Sequence, residues 1–421
     1  MAVIKPFRAV RPAIGKEAQI AALPYDVYNR AEALEVVKAN PLSFLAIDRA
    51  ETSFPADVDT YADEVYARAA ELYNLRKSEG SFIQEENACF YLYELVMDGH
   101  SQTGIVGCAA VDDYLSGVIK KHENTRAEKE KDRIRHVDSL SAQTGPIFLA
   151  HRRNDTLELQ KNAVKKSAPL YDITSDDGII HRVWRIEDED IKAQIIDVYA
   201  QTDSIYIADG HHRCASAVRV SEMRRAQNPD YTGEEEFNFF LSVLFSEDEL
   251  RIFDYNRVVK DLNGLEPDAF LEQVKKAGFT VTECEPAAGE SGQDAGCVRP
   301  DARGRFGMYL DEKWYLLEAT QAIRSEDAVA GLDVSVLQDH LLGPVLGIGD
   351  PRTDDRIDFV GGIRGLKELV RRCHTDCRVA FSMHPTSMTE LFDVADAGRL
   401  MPPKSTWFEP KLRSGLLIHE I

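Results

Sequence analysis

No apolar run in this chain approaches the roughly 18 residues a membrane-crossing helix needs. The opening stretch MAVIKPFRAV carries no apolar core of the kind a secretory leader has, so the expected location is the cytoplasm. Cysteine is sparse and odd in number: seven, at positions 89, 108, 214, 284, 297, 373 and 377. Only Cys373 and Cys377 lie close together, and no second pair completes a four-ligand zinc pattern or a disulfide framework. Positive charge is also in short supply, with 50 Lys and Arg against 71 Asp and Glu and a net charge of −21. A duplex nucleic-acid partner needs a basic face, so none is expected. The common catalytic signatures are missing too: no G-x-x-x-x-G-K-[ST] loop, no G-x-G-x-x-G, no kinase catalytic loop and no G-x-S-x-G elbow. His211 and His212 are adjacent rather than four apart, which excludes the helical zinc-protease arrangement.

What is present is a 421-residue chain with 44% hydrophobic residues, long enough for two or three domains. Helical spacing and stop signals place a helix at about Arg30–Ala39, ending at Asn40-Pro41. SFLAIDRA, from Ser43, reads as a strand, and residues 57–79 show helical spacing. Two apolar runs meet at Asp98-Gly99, a hairpin signal. Thr125 followed by Glu128 forms a capping box, with Ile134, Val137 and Leu140 as the buried stripe of the helix it opens. FNFFLSVLFS and LRIFDYNRVVKDL read as two strands about one turn, and a soft domain boundary falls near residue 260. The stretch AAGESGQDAG, residues 287–296, is the most linker-like.

Chemistry concentrates in a few places. In YIADGHHRCASAVRV a strand runs into Asp209, Gly210, His211, His212 and Arg213, and a helix leaves them. A strand-to-helix corner exposes backbone amides, Gly210 admits close approach, and the imidazoles and Arg213 add donors for an anion. Asp209 could hold a metal or orient a histidine; the plainer alternative is an Asp cap beside a core histidine. In KHENTRAEKEKDR, His122, Glu123, Thr125 and Arg126 head a helix, and Glu123 is placed to take a proton from a hydroxyl; a solvated helix start is the alternative. In MPPKSTWFEPKLRSG, Lys404, Ser405, Thr406, Lys411 and Arg413 offer cations and hydroxyls beside aromatic residues, as an anion-binding loop or a structural clamp. Tyr25 and Asp26 border a ligand or pack as core, and Asn256 and Arg257 hold a carboxylate or form a structural pair. DPRTDDRIDFVGG, from Asp350, is read as surface ion pairs.

The motifs PYDV, NPLSFL, HENT, ADGHHR, DYNRVVKDL, IDFVGG and MPPKSTWFEPKLRSGL together resemble the bacterial family known as domain of unknown function 1015, over essentially the whole chain. The DGHHR corner is similar to the phosphate-binding turn of the ParB/sulfiredoxin superfamily, whose free-serine kinases are the nearest functional parallel. That resemblance implies an α/β fold with a ParB/sulfiredoxin-like nucleotide-binding core in residues 1–260. A second α/β region, residues 261–421, would close the site. It implies a kinase that phosphorylates free L-serine from ATP or ADP with Mg²⁺, a nucleotide-binding switch being the rival. By position it gives Gly210, His211, His212 and Arg213 to the donor phosphates and Asp209 to the metal. Glu123 becomes the base, with His122 beside it, and Lys404, Ser405, Thr406, Lys411 and Arg257 meet the acceptor. Partners expected are a nucleotide and a small-molecule substrate, without nucleic acid or membrane, with a homodimer as the candidate assembly.

Overall fold

The computed structural model describes residues 1–125, 127–284, 294 and 296–421, so the linker-like stretch lies almost wholly outside the described residues. The chain is mixed α/β and divides into two compact units, Met1–Leu250 with Pro410–Ile421, and Arg251–Glu409. The last twelve residues, grouped by sequence with the second region, therefore belong to the first. Their apolar side chains decide this: Leu412, Leu416, Leu417 and Ile418 are all buried. Among the described residues no helix is long and apolar enough to cross a membrane.

A nine-stranded mixed sheet carries the first unit. From one edge its order is Ile119–Lys120, Ile205–Asp209, Ile147–His151, Phe239–Ser246, His100–Ala110, Phe90–Met97, Ile180–Ile186 and Tyr171–Thr174. Ile4–Lys5 adds to His100–Ala110 off this path. The Asp98-Gly99 hairpin is present, with φ of 51° and 75° at its two turn residues, the left-handed pair that a tight two-residue turn requires. At the functional edge, Ile205 pairs in parallel with Ile119 and Tyr206 with Lys120, so both strands end at the same side of the sheet. A helix follows each, Ala127–Leu140 and His211–Gln227, and the two pack on one another. Parallel neighbours with short exits force the two following loops together, which is how residues ninety positions apart meet.

SFLAIDRA is helical rather than a strand. Leu45–Asp48 forms a helical turn and Ala50–Ser53 a 3₁₀ turn. A short apolar run carries no period that separates the two states, and here all four residues of Leu45–Asp48 are buried. This turn and the helix Asp63–Ser78 form an apolar layer with Phe44, Ile47, Val65, Tyr73 and Ile418. The helix Arg30–Ala39 is as expected, closed by a reciprocal capping box between Asn29 and Glu32. Helix Ala127–Leu140 buries Arg133, His136 and Leu140, whereas Ile134 and Val137 are only half-buried. Two polar residues, Arg133 and His136, thus share its inward face with Leu140.

FNFFLSVLFS and the next apolar run do not form a hairpin. Phe239–Ser246 lies in the first sheet, and Tyr255–Val259 lies in the second unit. That unit holds an antiparallel six-stranded sheet in the order Phe279–Cys284, Lys313–Ala319, Arg305–Leu310, Val379–Met383, Tyr255–Val259 and Ile357–Gly361. Trp407–Phe408 pairs with Ile252–Phe253 beside it.

The returning C-terminal segment is anchored by Arg413, which is 5% exposed. Its guanidinium donates to Ser175 Oγ at 3.0 Å and to His181 Nε2 at 3.2 Å, and it pairs with the Asp177 carboxylate. Its own amide donates to the Tyr93 hydroxyl at 3.3 Å. Removing one partner of a fully buried pair costs ~3–5 kcal/mol. Asp177 is 36% exposed in its side chain and can turn to water. Arg413→Met is therefore expected to cost about 2–3 kcal/mol, read as a fall in the urea midpoint of the first unit. An unchanged midpoint would remove Arg413 from this anchoring role.

Candidate functional site

The corner sits where the strand Ile205–Asp209 meets the helix His211–Gln227. The pairing of this strand with Ile147–His151 slips between Ile207 and Asp209, a bulge at the strand's last turn. Bulges re-aim the side chains that follow, and this one precedes Asp209. Gly210 takes φ 90° and ψ 28°, the left-handed region, as the residue capping the helix. No side chain caps that helix, and the Cys214 amide is the first to bond backwards, to the Gly210 carbonyl at 2.9 Å. The first turn thus has no side-chain cap, at the positive end of a seventeen-residue helix.

Cations surround the turn. Lys411 Nζ donates to Asp209 Oδ2 at 3.1 Å, and Arg213 lies 3.9 Å from the same oxygen. Asp209 Oδ1 accepts from the Gly210 amide at 2.8 Å. Burial opposes charge on Asp209, but Lys411 and Arg213 outweigh it and hold the carboxyl below the ordinary range. The Arg213 guanidinium also donates to the Pro146 carbonyl and lies against Gly210, 3.1 Å from where a Cβ would stand.

The HENT segment leaves the neighbouring strand on the same side. His122 and His211 meet edge to face with ring centroids 4.5 Å apart, and the His122 amide approaches His211 Nε2 at 3.4 Å. His122 is 2% exposed, and neither of its ring nitrogens has a hydrogen bond of ordinary geometry. Burial pushes its imidazole down to about 4, and burial with His122 alongside pushes His211 well down. Both are neutral near pH 7, so they offer one donor and one acceptor each, not charge. Glu123 is half-buried next to them. The Thr125 hydroxyl donates to Glu130 Oε2 at 2.6 Å rather than closing a box with Glu128, and Arg126 lies outside the described residues.

Arg213 also lines a cleft of about 480 Å³, whose walls include Tyr25, Asp48, Arg133, His136, Thr144, Gly145 and Ser414. A second cavity of about 730 Å³ shares Tyr25, Asp48, Arg133 and His136 with it and adds Arg49, Glu51, Tyr66 and Asp132. Arg133 stacks on the Tyr25 ring at 3.8 Å and pairs with Asp132 at 2.7 Å. Arg49 pairs with Glu51 at 2.5 Å, and the Tyr66 hydroxyl donates to Asp132 at 2.7 Å. Burial pushes the Tyr25 phenol up to about 12 against the pull of Arg133, and pushes His136 down to about 4. Tyr25 was a weak candidate in sequence. Asp48, Arg133 and His136 carried no signal beyond the i, i+3 spacing of the last two.

The two oxygens of Asp209, the expected metal ligand, accept from Lys411 and from the Gly210 amide. Among the described residues no group of three His, Cys, Asp or Glu could hold a metal ion. The remaining sequence candidates lie in the second unit. Arg257 is 3% exposed and donates to the carbonyls of Tyr255 and Lys404. Asn256 bonds Asp254 and the Met383 amide, and Ser405 donates to the Pro402 carbonyl at 2.6 Å. Lys404 takes φ 60° with its ammonium 5.3 Å from the Tyr255 ring, and Thr406 is half-buried beside it.

The first unit is thus mixed α/β, with a helix start that has no side-chain cap beside Arg213 and Lys411, and Arg213 also lines a cleft. The chain belongs to the family described as protein of unknown function DUF1015, whose model matches residues 4–335. No curated protein matches it. Among solved structures it is similar to a free serine kinase mutant in complex with AMP, at 15% identity and TM-score 0.34, covering 76% of this chain and 90% of that one. A free serine kinase mutant in complex with ADP shows 17% identity, TM-score 0.32 and the same coverage. SbnI with C-terminal truncation, from Staphylococcus aureus, shows 11% identity and TM-score 0.35 over 72% of this chain and 82% of that one. Likeness at this level leaves the chemistry to the residues themselves.

Proposed function

We propose that this protein is a nucleotide-dependent small-molecule kinase with a ParB/sulfiredoxin-like core, phosphorylating free L-serine to O-phosphoserine from ATP or ADP. The observation that carries the reading is the corner itself. An uncapped helix start, a left-handed glycine and the flanking Arg213 and Lys411 supply what a terminal phosphate needs, and a cleft lined by Arg213 offers room for a second reactant. Amides and cations at the corner hold the donor's phosphates, with His212 on the first helical turn. Asp209 keeps Lys411 and Arg213 aimed. Phosphoryl transfer needs positioning and charge more than a reactive nucleophile, which suits a site without a triad. The choice of serine rests on the motif resemblance alone.

The test is direct. The protein is incubated with ATP, then with ADP, and a panel of hydroxy amino acids, and phosphorylated product is sought by mass spectrometry. Arg213→Ala is expected to weaken nucleotide binding by roughly 10- to 100-fold, the loss of a charge-assisted donor pair. Binding equal to the parent's by calorimetry would remove the corner from phosphate recognition. Tight nucleotide binding without transfer to any acceptor would leave a nucleotide-binding switch in place of a kinase.

A further inference from the structure

We propose that Asp48, and not Glu123, takes the acceptor's proton, and that the acceptor is a small polar alcohol seated in the cleft beside Tyr25; this rests on the kinase reading above. The 480 Å³ cleft is lined both by Arg213, from the phosphate corner, and by Asp48, from the buried helical turn. Glu123 lines neither this cleft nor the cavity that adjoins it. Asp48 is 5% exposed. Its Oδ1 accepts from Thr144 Oγ1 at 3.1 Å and lies 3.6 Å from His136 Nε2. That imidazole nitrogen is also 3.4 Å from the Ile47 carbonyl, so two acceptors face it and it carries the proton of a neutral ring.

Oδ2 of Asp48 makes no hydrogen bond among the described residues. The other carboxylates nearby are occupied: Glu51 by Arg49, Asp132 by Arg133 and Asp209 by Lys411. Asp26 is exposed. A buried carboxylate with one oxygen held by a hydroxyl, one open, and no Lys or Arg within ion-pair distance among the described residues, Arg133 acting on it only through space, is placed to accept a proton. In the step, the acceptor O–H breaks and its proton goes to Asp48 Oδ2. The freed oxygen pair bonds the terminal phosphorus of the nucleotide. The bond from that phosphorus to the bridging oxygen breaks, and the departing nucleotide keeps the electron pair. Thr144 and His136 are positioning residues that hold the carboxylate still.

The experiment compares the parent with Asp48→Asn, Asp48→Ala and Glu123→Gln, measuring nucleotide affinity by calorimetry and transfer to the hydroxy amino-acid panel. Both Asp48 variants are expected to bind nucleotide within about twofold of the parent and to lose roughly 10²-fold or more in kcat. Formate, added at high concentration, should restore part of the rate of Asp48→Ala, since a small carboxylate can enter the vacated space. Glu123→Gln is measured beside them, and a loss of transfer there with parent-like transfer by Asp48→Asn would return the role to Glu123 and overturn the assignment. Parent-like transfer by Asp48→Asn overturns the assignment and leaves the kinase reading standing. A loss in Asp48→Ala that formate does not relieve, with nucleotide affinity falling in parallel, marks a structural role and also overturns it. Should the Asp48 variants fail to fold, Thr144→Val decides: kcat about fivefold lower at unchanged nucleotide KM supports the proposal, and unchanged kcat sinks it. No transfer by the parent to any hydroxyl removes the kinase reading and this proposal with it.

Discussion

Gly210→Val is expected to abolish measurable nucleotide binding while leaving the protein folded. The residue stands at φ 90°, where an L side chain is strained and a β-branched one most of all. Strain of this kind costs about 1–3 kcal/mol, a fall of roughly 2–6 °C in the melting temperature of a unit this size. The effect on binding is larger because of what the new side chain meets. A Cβ at Gly210 would stand 3.1 Å from Nε and Nη2 of Arg213, so the guanidinium must give by a few tenths of an ångström for a Cβ alone and further for the γ-carbons of valine. Its bond to the Pro146 carbonyl is then strained, and phosphate meets side-chain carbon where it needed bare backbone. Gly210→Ala should show the same defect to a lesser degree. Calorimetric titration with ATP and ADP, alongside circular dichroism, checks both halves of the claim. If the valine variant binds either nucleotide like the parent, phosphates do not sit at this corner.

The corner was legible because its signals are local. Strand, Asp-Gly and helix start are adjacent in the chain, and the glycine's left-handed backbone follows from a turn that tight. His122 was a candidate, but its contact with His211 depends on two parallel strands lying side by side, which no stretch of sequence states. Lys411 was grouped with Lys404, seven residues earlier, yet the chain passes from one unit to the other between them. The polar cleft was illegible for a different reason. Asp48 ends an apolar run too short for its period to separate helix from strand, and a strand reading gave its carboxylate no partners. Arg133 and His136 drew no attention because Ile134, Val137 and Leu140 were expected to form the buried stripe. An i, i+3 pair of polar residues buried on one face is what a site requires and what a hydrophobic pattern cannot reveal.

The first unit is expected to unfold in mild acid, well before its carboxylates protonate. Six of its imidazoles are buried, and four of them carry the expectation: His122 at 2% exposure, His136 and His151 at 3% and His181 at 0%. Burial lowers the first three to about 4 and His181 to about 3; Asp209, Asp48 and Asp177 pull the other way without cancelling it. In the unfolded chain each titrates near 6.5. The unfolded state thus takes up protons that the folded state refuses, and stability that is complete above about pH 6.5 is lost as pH falls toward 4. With four sites acting together the slope approaches about 5 kcal/mol per pH unit, against a total stability of about 5–15 kcal/mol. Asp177 and Asp209, held below the ordinary carboxyl range, add to the loss only below about pH 4. Urea midpoints should therefore differ little between pH 7.5 and 6.5 and fall steeply from pH 6.5 to 5.5. His181→Gln should reduce the slope by about one proton, since it removes one refused site. Midpoints that stay level down to pH 5 would mean these rings are not held buried and neutral, and the packing of His122 against His211 at the corner would lose its support.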